Sequence, residues 1–377
     1  MKHSSGIRRQ RGLSLVELMV GAAIGLLGTV VIMQMAAFAE GHKRSTTSGS
    51  DAQVNGAIAL YTLQRDLAMA GYGLVSNLGG LGCPIKAKFG SNSFTWNLAP
   101  VTITAGTAGM PDQITLLGSS KSIYAVPTRV VVDHPPTAAN FFVDSTLGVA
   151  EGDLMVAVPA TIDANNWCSV LQVTRDTSGG SGTGNGGGQG QNQVLHNSGN
   201  DGPWNQPGGQ TIFPSSGYRV GSYLLNLGQM RNRTYSITND FTLRQTDFNT
   251  TTATAVNNDL LPQIVNLKAF YGKDTNNDQV VDTYDVTTPT NAAGWAQLRT
   301  VRLALVARSA QFEKDEVTSA GPQWEVGSEP AVAGSATCAS GSGQCIALKV
   351  DHIPDWKHYR YKVFEVVVPL RNMLWSS

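Results

Sequence analysis

Apolar residues are distributed very unevenly along this chain. From Leu18 to Ala39, 22 consecutive residues carry no formal charge, whereas later apolar runs are short and separated by Gly, Ser, Thr and Asn. At about 1.5 Å per residue, a helix of this length reaches roughly 33 Å, which is enough to cross the hydrocarbon of a membrane. The pattern therefore predicts one membrane-spanning helix over residues 13–39, followed by a different kind of structure.

A second helical pattern follows the polar stretch that begins at Glu40. Apolar residues recur there at the three- and four-residue spacing of a helix face, and Gly71 offers a C-terminal cap. One stripe consists of Val54, Ile58, Tyr61 and Arg65, and Leu60, Leu63 and Leu67 lie beside it. We therefore expect residues 40–74 to continue the first helix as an amphipathic segment that packs on a sheet.

The rest of the chain consists of short strand-like runs between turn residues. In a variable β-rich region, residues 75–260, the predicted strands are 101–104, 113–117, 128–132, 153–158, 169–174, 219–225 and 234–243. Clearer strands lie in the C-terminal region, residues 261–377, at 263–272, 298–308 and 359–369. These patterns predict an α+β fold, in which a long N-terminal helix packs on a β-rich, mainly antiparallel head.

A glycine-rich segment, residues 178–192, interrupts the variable region and is expected to be a disordered loop. Gly182, Gly184 and Gly187 form a literal GxGxxG pattern. A dinucleotide-binding loop needs a strand before it and a helix after it, and neither is predicted here. We therefore do not interpret the segment as a nucleotide site.

Composition supports the β-rich interpretation. Gly accounts for 41 of 377 residues and charged residues for only 14%, as in loop-rich β proteins. The first 12 residues contain four basic residues and no acid, so their removal leaves 23 Lys and Arg against 27 Asp and Glu, a net charge of −4. A chain of this charge has no basic footprint for nucleic acid.

Four cysteines lie beyond the predicted span: Cys83, Cys168, Cys338 and Cys345. An exported region lies in a compartment that favours disulfides, and four cysteines allow three connectivities. Cys338 and Cys345 enclose a short flexible loop that closes easily, so we expect them to pair. Cys83 and Cys168 are then paired by default.

The start of the apolar run carries the most specific chemistry. By the positive-inside bias, the basic residues before it stay in the cytoplasm, and the rest of the chain is exported. Glu17 lies inside the apolar helix start, where an ionised carboxylate without a partner costs about 3 kcal/mol near the bilayer centre. If the chain were cut after Gly12, the new amine at Leu13 would lie one helical turn from Glu17, or would reach Glu17 of a neighbouring copy.

This start resembles the type IV prepilin signal: a short basic leader that ends in Gly12, a hydrophobic Leu13, Glu17 at the fifth place of the cleaved chain, and then an apolar run. The resemblance implies a leader of residues 1–12, cleavage between Gly12 and Leu13 by a prepilin peptidase, N-methylation of Leu13, and use of Glu17 in packing pilin subunits. Gly21 and Gly25 form a GxxxG pattern that lets neighbouring helices approach closely, although glycine is common in membrane helices generally.

Two simpler interpretations of the segment remain open. Residues 37–39 form an A-x-A pattern, so an ordinary secretory signal would be cut before Glu40. Such a signal would have an unusually long apolar core and would leave Glu17 unexplained. The other interpretation is a plain signal anchor with an incidental glutamate.

Six residues occupy places that resemble the ligand positions of an EF-hand calcium loop. Places 1, 3, 5, 7, 9 and 12 of residues 274–285 are Asp274, Asn276, Asp278, Val280, Asp282 and Asp285, with Val280 supplying its carbonyl oxygen. The loop departs from that pattern at place 6, where Gln279 replaces glycine, and at place 12, where Asp replaces Glu. Calcium is one hypothesis, and the alternatives are sodium or a metal-free turn whose Asn and Asp side chains cap their own backbone.

The sequence shows no catalytic arrangement. It contains no GxSxG, HExxH or P-loop motif, and its histidines, including His134, His196, His352 and His358, lack ligand spacing. We therefore expect no enzyme activity and no required cofactor, with calcium as the one candidate ion.

Later segments are similar to the PilW-type minor pilins, at residues 63–72, 270–278, 301–308 and 364–372. The resemblance implies a single-pass inner-membrane protein with a cytoplasmic N-terminus and a periplasmic head, which primes type IV pilus assembly at or near the pilus tip. The implied partners are prepilin peptidase, other minor pilins, the major pilin and a tip adhesin. A type II secretion pseudopilin is the alternative within this class. A membrane-anchored periplasmic binding module or enzyme is the alternative outside it, and would need a pocket with converging polar or aromatic groups.

Overall fold

The computed structural model describes residues 12, 14–76, 78–122, 125–174, 192–198, 202–207 and 212–374. The chain divides into two compact units, Met1–Asp51 and Ala52–Ser377. The described parts form a long N-terminal helix and a β-rich, mostly antiparallel region, so the predicted α+β class is confirmed. The predicted glycine-rich loop, residues 178–192, lies outside the described residues except for its last position.

Helix α1 extends from Leu15 to Ala68. In the second unit it buries a stripe of small and aliphatic residues at helical spacing, which consists of Ala52, Gly56, Ala59, Leu63 and Leu67. At Gly56 the approach is closest, because a Cβ atom there would lie 2.2 Å from the ring of Phe364.

The packed stripe is not the most hydrophobic one. Val54, Ile58 and Tyr61, which the helical spacing singles out, are exposed by 52%, 47% and 64%. Close packing of a helix on a sheet needs small side chains at the contact, and small side chains give a weak hydrophobic signal. The amphipathic helix is present, with its packed face displaced from that stripe.

The first sheet contains β1 (Pro84–Phe89), β2 (Asn92–Asn97), β5 (Thr128–Arg129), β7 (Leu154–Val158), β8 (Cys168–Gln172) and β10 (Tyr223–Gly228). Their order is β2-β1-β8-β7-β10-β5, and only β1 and β8 pair in parallel. Every residue of β7 and β10 is buried, as expected for strands covered on both faces. Strand β7 is a continuous apolar run, whereas β10 includes the buried Asn226. By contrast, β2 is a largely exposed edge strand.

The second sheet contains β3 (Val101–Thr104), β4 (Gln113–Gly118), β11 (Arg231–Ile237), β12 (Thr242–Asn249) and β13 (Thr254–Pro262). All pairs are antiparallel in the order β13-β12-β11-β4-β3. The prediction of one strand at residues 234–243 was wrong, because this segment holds the end of β11, a turn and the start of β12. Asn239 and Asp240 are the turn residues that separate the two strands.

The third sheet contains β14 (Ile264–Lys273), β15 (Thr283–Asp285), β16 (Leu298–Arg308), β18 (Ala331–Val332) and β21 (Tyr361–Pro369). Their order is β18-β15-β14-β16-β21, with β15 and β18 parallel. The three long strands agree closely with the three clear predictions, because long buried strands give a strong apolar signal.

Shorter elements complete the second unit. Strands β17 (Gln323–Glu325), β19 (Ala336–Thr337) and β20 (Gln344–Ala347) form one small sheet, and β6 (Asn140–Val143) pairs with β9 (Asn192–Leu195). Two short helices are α2 (Ala292–Ala296) and α3 (Arg371–Leu374). Single 3₁₀ turns lie at Leu78–Gly80, Thr107–Gly109 and Trp356–His358.

A buried carboxylate joins the second and third sheets. Asp112, in the connection that leads into β4, is completely buried. It accepts the backbone N–H of Ala269 at 2.9 Å and that of Gly106 at 2.9 Å, and it forms an ion pair with Lys268. Since a buried carboxylate is stable only when it is paired and hydrogen-bonded, these contacts fix β14 against the β3–β4 connection.

Both disulfides lie in the second unit. Cys83, just before β1, is bonded to Cys168 in β8 across 85 residues, and both side chains are fully buried. Cys338 is bonded to Cys345 across seven residues and closes the loop between β19 and β20. The first bond lies at the start of the parallel pair of β1 and β8 and joins segments that are distant along the chain.

Candidate functional site

The start of α1 is organised by a reciprocal pair of hydrogen bonds. The backbone N–H of Glu17 donates to the Ser14 hydroxyl at 3.2 Å, and the backbone N–H of Ser14 donates to the Glu17 carboxylate at 3.0 Å. This is a capping box, which satisfies two backbone donors that a helix start leaves unpaired. Gly12 is exposed just before the cap, and Leu13 lies outside the described residues.

Residues Leu15–Gly41 of α1 are long and apolar enough to cross a membrane, with a mean hydropathy of 2.3. None of the most apolar part is buried within the protein. A Cβ atom added at Gly21 or Gly25 would meet no atom within 4 Å. Among the described residues, space for a neighbouring helix is therefore present at Gly21 and Gly25.

Residues 274–285 form a compact turn in which the carboxylates already have partners. Asp274 is completely buried and accepts a hydrogen bond from Arg299 at 2.9 Å and one from the N–H of Gln279 at 2.8 Å. Burial by itself would raise the pKa of Asp274, but the hydrogen bonds from Arg299 and from the backbone lower it. At the other end, Asp285 accepts hydrogen bonds from Lys273 at 2.7 and 2.9 Å.

The remaining predicted ligands belong to the same internal network. Asp282 accepts the N–H and the hydroxyl of Thr275 at 2.6 and 2.7 Å, and Asn276 donates to Asp278 at 3.2 Å. Gln279 adopts a φ of 71°, the left-handed conformation that glycine has in the calcium loop. Among the described residues, no group of three or more His, Cys, Asp or Glu side chains is placed to hold a metal ion.

The end of α1 is tied to the second sheet by Arg233. This guanidinium forms ion pairs with Asp66 of α1 and, at 2.7 Å, with Asp247 of β12. Tyr235 donates to Asp66 at 2.7 Å. Burial opposes ionisation of Asp66, but the hydrogen bonds from Tyr235 and Arg233 outweigh it, so the pKa of Asp66 is lowered.

Two histidines that lie 62 residues apart in sequence meet in a second core of the head. Their Nε2 atoms are 3.0 Å apart, so one ring donates a hydrogen bond to the other. His134 stacks on Phe141 with ring centres 3.6 Å apart, and Phe213 lies edge-on to both histidines. Burial lowers the pKa of His134 to about 4, and burial together with His134 lowers the pKa of His196 to about 3.

The sequence interpretation missed this pair because it tested only metal-ligand spacing. A weaker signal was available at one of the two positions. Val194 is buried in β9, and His196 follows it by two residues, so strand periodicity places both on the same inward face. Nothing comparable in the sequence links His196 to His134, since their contact depends on tertiary structure.

Two family models match parts of the chain. The model described as type IV pilus-assembly protein W matches residues 232–372, and that of the prokaryotic N-terminal methylation motif matches residues 7–33. No curated protein and no solved structure matches the chain. The first match includes most of β11 and all of the third sheet, and the second includes Gly12 and the capping box.

Replacing Arg233 tests the connection between α1 and the second sheet. In a soluble fragment that starts at Ala52, we expect Arg233→Met to lower the free energy of unfolding by about 3 kcal/mol, since it leaves the partly buried Asp66 and Asp247 without their shared cation. Urea denaturation measures the change. Arg219→Met is the matched control, because Arg219 pairs with Asp133 on the surface and is 72% exposed. Equal effects of the two substitutions would contradict the role given to Arg233.

The histidine pair predicts a loss of stability in mild acid. Both side chains have a pKa near 6.5 when unfolded and a lower one when folded, so the unfolded state binds more protons below about pH 6.5. Stability is thus complete above that pH and falls as the pH drops towards 4, by about 1.4 kcal/mol per pH unit for each histidine. Urea titrations at several pH values measure the slope, and His134→Phe should roughly halve it. A wild-type fragment with equal stability at pH 7 and pH 5 would contradict this prediction.

Calcium is expected to leave the 274–285 turn unchanged. Arg299 and Lys273 already neutralise the carboxylates at places 1 and 12, so a divalent cation would have to displace both. The Tm of the fragment should be the same in EDTA and in about 5 mM CaCl₂, a concentration well above the typical dissociation constants of extracellular calcium sites. A calcium-dependent rise in Tm that Asp278→Asn abolishes would favour the calcium hypothesis.

Proposed function

We propose that this PilW-type pilin-like protein is a minor pilin that takes part in type IV pilus biogenesis. The observation that carries the proposal is the occurrence in one chain of a match to type IV pilus-assembly protein W and a match to the N-terminal methylation motif. The two matches support a type IV pilus-related protein, and the role as a minor pilin is the finer step that we add.

Processing is the first part of the proposed mechanism. Prepilin peptidase removes residues 1–12, and Leu13 becomes the N-methylated first residue of the mature chain. The capping box supports this assignment, because Ser14 and Glu17 fix the start of α1 just beyond the cleaved bond. In an assembled pilus, Glu17 would exchange its contact with Ser14 for the positively charged amine of a neighbouring copy, which neutralises both groups in an apolar setting.

The same arrangement supports a location. We assign Leu15–Gly41 to the inner membrane as a single span, with the N-terminus in the cytoplasm and the head in the periplasm. The basic residues of the leader agree with that orientation. Two disulfides in the head agree with an oxidising compartment. The open faces at Gly21 and Gly25 would receive neighbouring pilin helices once the subunit is extracted from the bilayer.

The head supplies the lateral contacts of the proposed mechanism. It is a compact unit that buries its own core, so it can pack beside other heads without refolding. Val54, Ile58 and Tyr61 offer an exposed apolar stripe on α1 for such a neighbour. In this proposal the protein joins other minor pilins to prime assembly at or near the pilus tip, where the major pilin and a tip adhesin are further partners.

We assign no enzyme activity and no required cofactor to this role, since assembly needs only processing, membrane extraction and packing. A pseudopilin of type II secretion has the same N-terminal chemistry and is the alternative within the class. The two are separated by phenotype, because a minor pilin supports piliation and a pseudopilin supports secretion of folded proteins.

The test combines processing with piliation in the source bacterium. We expect Gly12→Val to leave a membrane-held precursor that keeps its leader, whereas wild-type protein begins at N-methyl-Leu13 by intact mass. Glu17→Ala should be processed yet yield several-fold fewer sheared pili. Gly6→Val and Glu40→Ala are the matched controls and should behave as wild type. Normal piliation by the Glu17→Ala strain would overturn the minor pilin role. So would a Glu17→Ala strain that keeps its pili but loses secretion.

A further inference from the structure

A cleft lies where the exposed edge of the first sheet meets the second sheet. Its volume is about 310 Å³. Strand β2 contributes Trp96 and Asn97 to one side, and the second sheet contributes Thr102, Thr115 and Asn232 from β3, β4 and β11. The cleft is formed within the second unit of the chain, far along the sequence from the residues proposed for processing.

An aromatic wall with a fixed orientation borders the cleft. Trp96 stacks on Phe94, with ring centres 5.5 Å apart and planes at 12°, and meets Phe248 edge-on at 5.4 Å. Trp204 in the same cluster is 1% exposed and donates its indole N–H to the carbonyl of Thr250 at 2.9 Å, so it is a core residue and is not available to a ligand. Trp96 is only half-buried, and among the described residues its indole N–H has no protein acceptor.

The polar groups around this wall are uncharged. The described residues that line the cleft are Thr95, Trp96, Asn97, Ala99, Thr102, Thr115, Leu117 and Asn232, and none of them is ionisable. Thr115 shares a hydrogen bond with Thr234 at 2.9 Å. Within the described structure the side-chain amides of Asn97 and Asn232 make no hydrogen bond to protein, which leaves donors and acceptors directed at solvent.

A second cleft of about 280 Å³ lies next to the first, and Asn232 lines both. Phe248, Asn249, Thr250 and Thr251 lie on its wall. It also contains Arg231 and Asp247, and the latter is held by Arg233. The two clefts therefore offer two neighbouring compartments with Asn232 in common.

We propose that these clefts bind a neutral oligosaccharide. A pyranose ring has an apolar C–H face and a rim of hydroxyl groups, so it requires an aromatic surface beside uncharged donors and acceptors, and Trp96 with Asn97, Thr102 and Asn232 supplies that combination. A phosphate-bearing ligand would require cations that the first cleft does not have. Two compartments match a chain of at least two sugar units better than a monosaccharide.

The test uses the full chain purified in lauryldimethylamine oxide, because maltoside and glucoside detergents would themselves present sugars. Tri-N-acetylchitotriose, cellotriose and maltotriose are the neutral probes, and a sialylated trisaccharide is the charged one. Saturation-transfer-difference NMR and tryptophan fluorescence follow each titration to about 10 mM, beyond the millimolar range of weak binding. At least one neutral probe is expected to bind more tightly than the charged probe.

Variants assign the binding to the cleft. Trp96→Leu should weaken binding by at least about fivefold, as expected for loss of an aromatic contact. Asn97→Ala should also weaken it. Asn92→Ala is the matched control, since Asn92 is exposed on the same strand but outside the cleft, and it should bind as wild type. Asn97→Ala keeps the test decisive if Trp96→Leu unfolds, and near-ultraviolet circular dichroism checks folding.

Three outcomes would overturn the proposal. The first is no response to any neutral probe by the folded wild-type chain. The second is binding that both Trp96→Leu and Asn97→Ala leave unchanged. The third is preference for the charged probe. Because none of these readouts measures processing or piliation, failure of the saccharide site and failure of the minor pilin role are distinguishable.

Discussion

The packing of a narrow stripe of small residues on α1 against the sheets is the constraint on which the rest of this structure depends. Gly56 admits the ring of Phe364 where any side chain would clash, and Ala52 and Ala59 extend the same close contact along the helix. Leu63 and Leu67 then enter the main core. This packing uses one face only, so the remaining apolar positions on the helix, such as Ile58 and Tyr61, face outwards.

Polar contacts fix what the apolar packing brings together. Apolar surface is non-directional and would tolerate small shifts of a helix along a sheet, whereas ion pairs with defined geometry do not. Arg233 holds the end of α1 through Asp66, and Asp112 holds β14 through Lys268 and the backbone of Ala269. The fully buried Cys83–Cys168 disulfide fixes the two parallel strands of the first sheet, β1 and β8, next to each other. Each of these contacts joins segments that are remote in sequence.

A structural feature of this protein can be predicted from the sequence when it depends on residues that are close together in the chain. The start and end of α1 follow from a long uncharged run and a glycine, and β3, β14, β16 and β21 follow from strong apolar runs. Strand β13 carries Asn257, Asn258 and Asp259 and is mostly exposed, so its hydrophobic signal is weak. The turn at Asn239 could have been predicted from its turn-forming residues. The contact between His134 and His196 could not, because it depends on tertiary structure.

The candidate sites differ in the same way. The residues of the proposed cleavage and assembly segment lie close together in sequence, so a sequence motif finds them, although Leu13 lies outside the described residues. The 274–285 turn was found for its oxygen ligands, but its fixed charges come from Lys273 and Arg299, and Arg299 lies on the next long strand. The proposed saccharide cleft combines residues from four strands, which no spacing rule can detect.

The two proposed roles draw on different parts of the chain. The match to type IV pilus-assembly protein W begins at residue 232, so Asn232 is included, whereas Trp96, Asn97, Thr102 and Thr115 lie outside both matched segments. The residues proposed for processing and assembly, Gly12 and Glu17, are not among the residues that line the cleft. In the two proposals, assembly and ligand binding therefore depend on different residues, so a substitution in one set is expected to leave the other role intact.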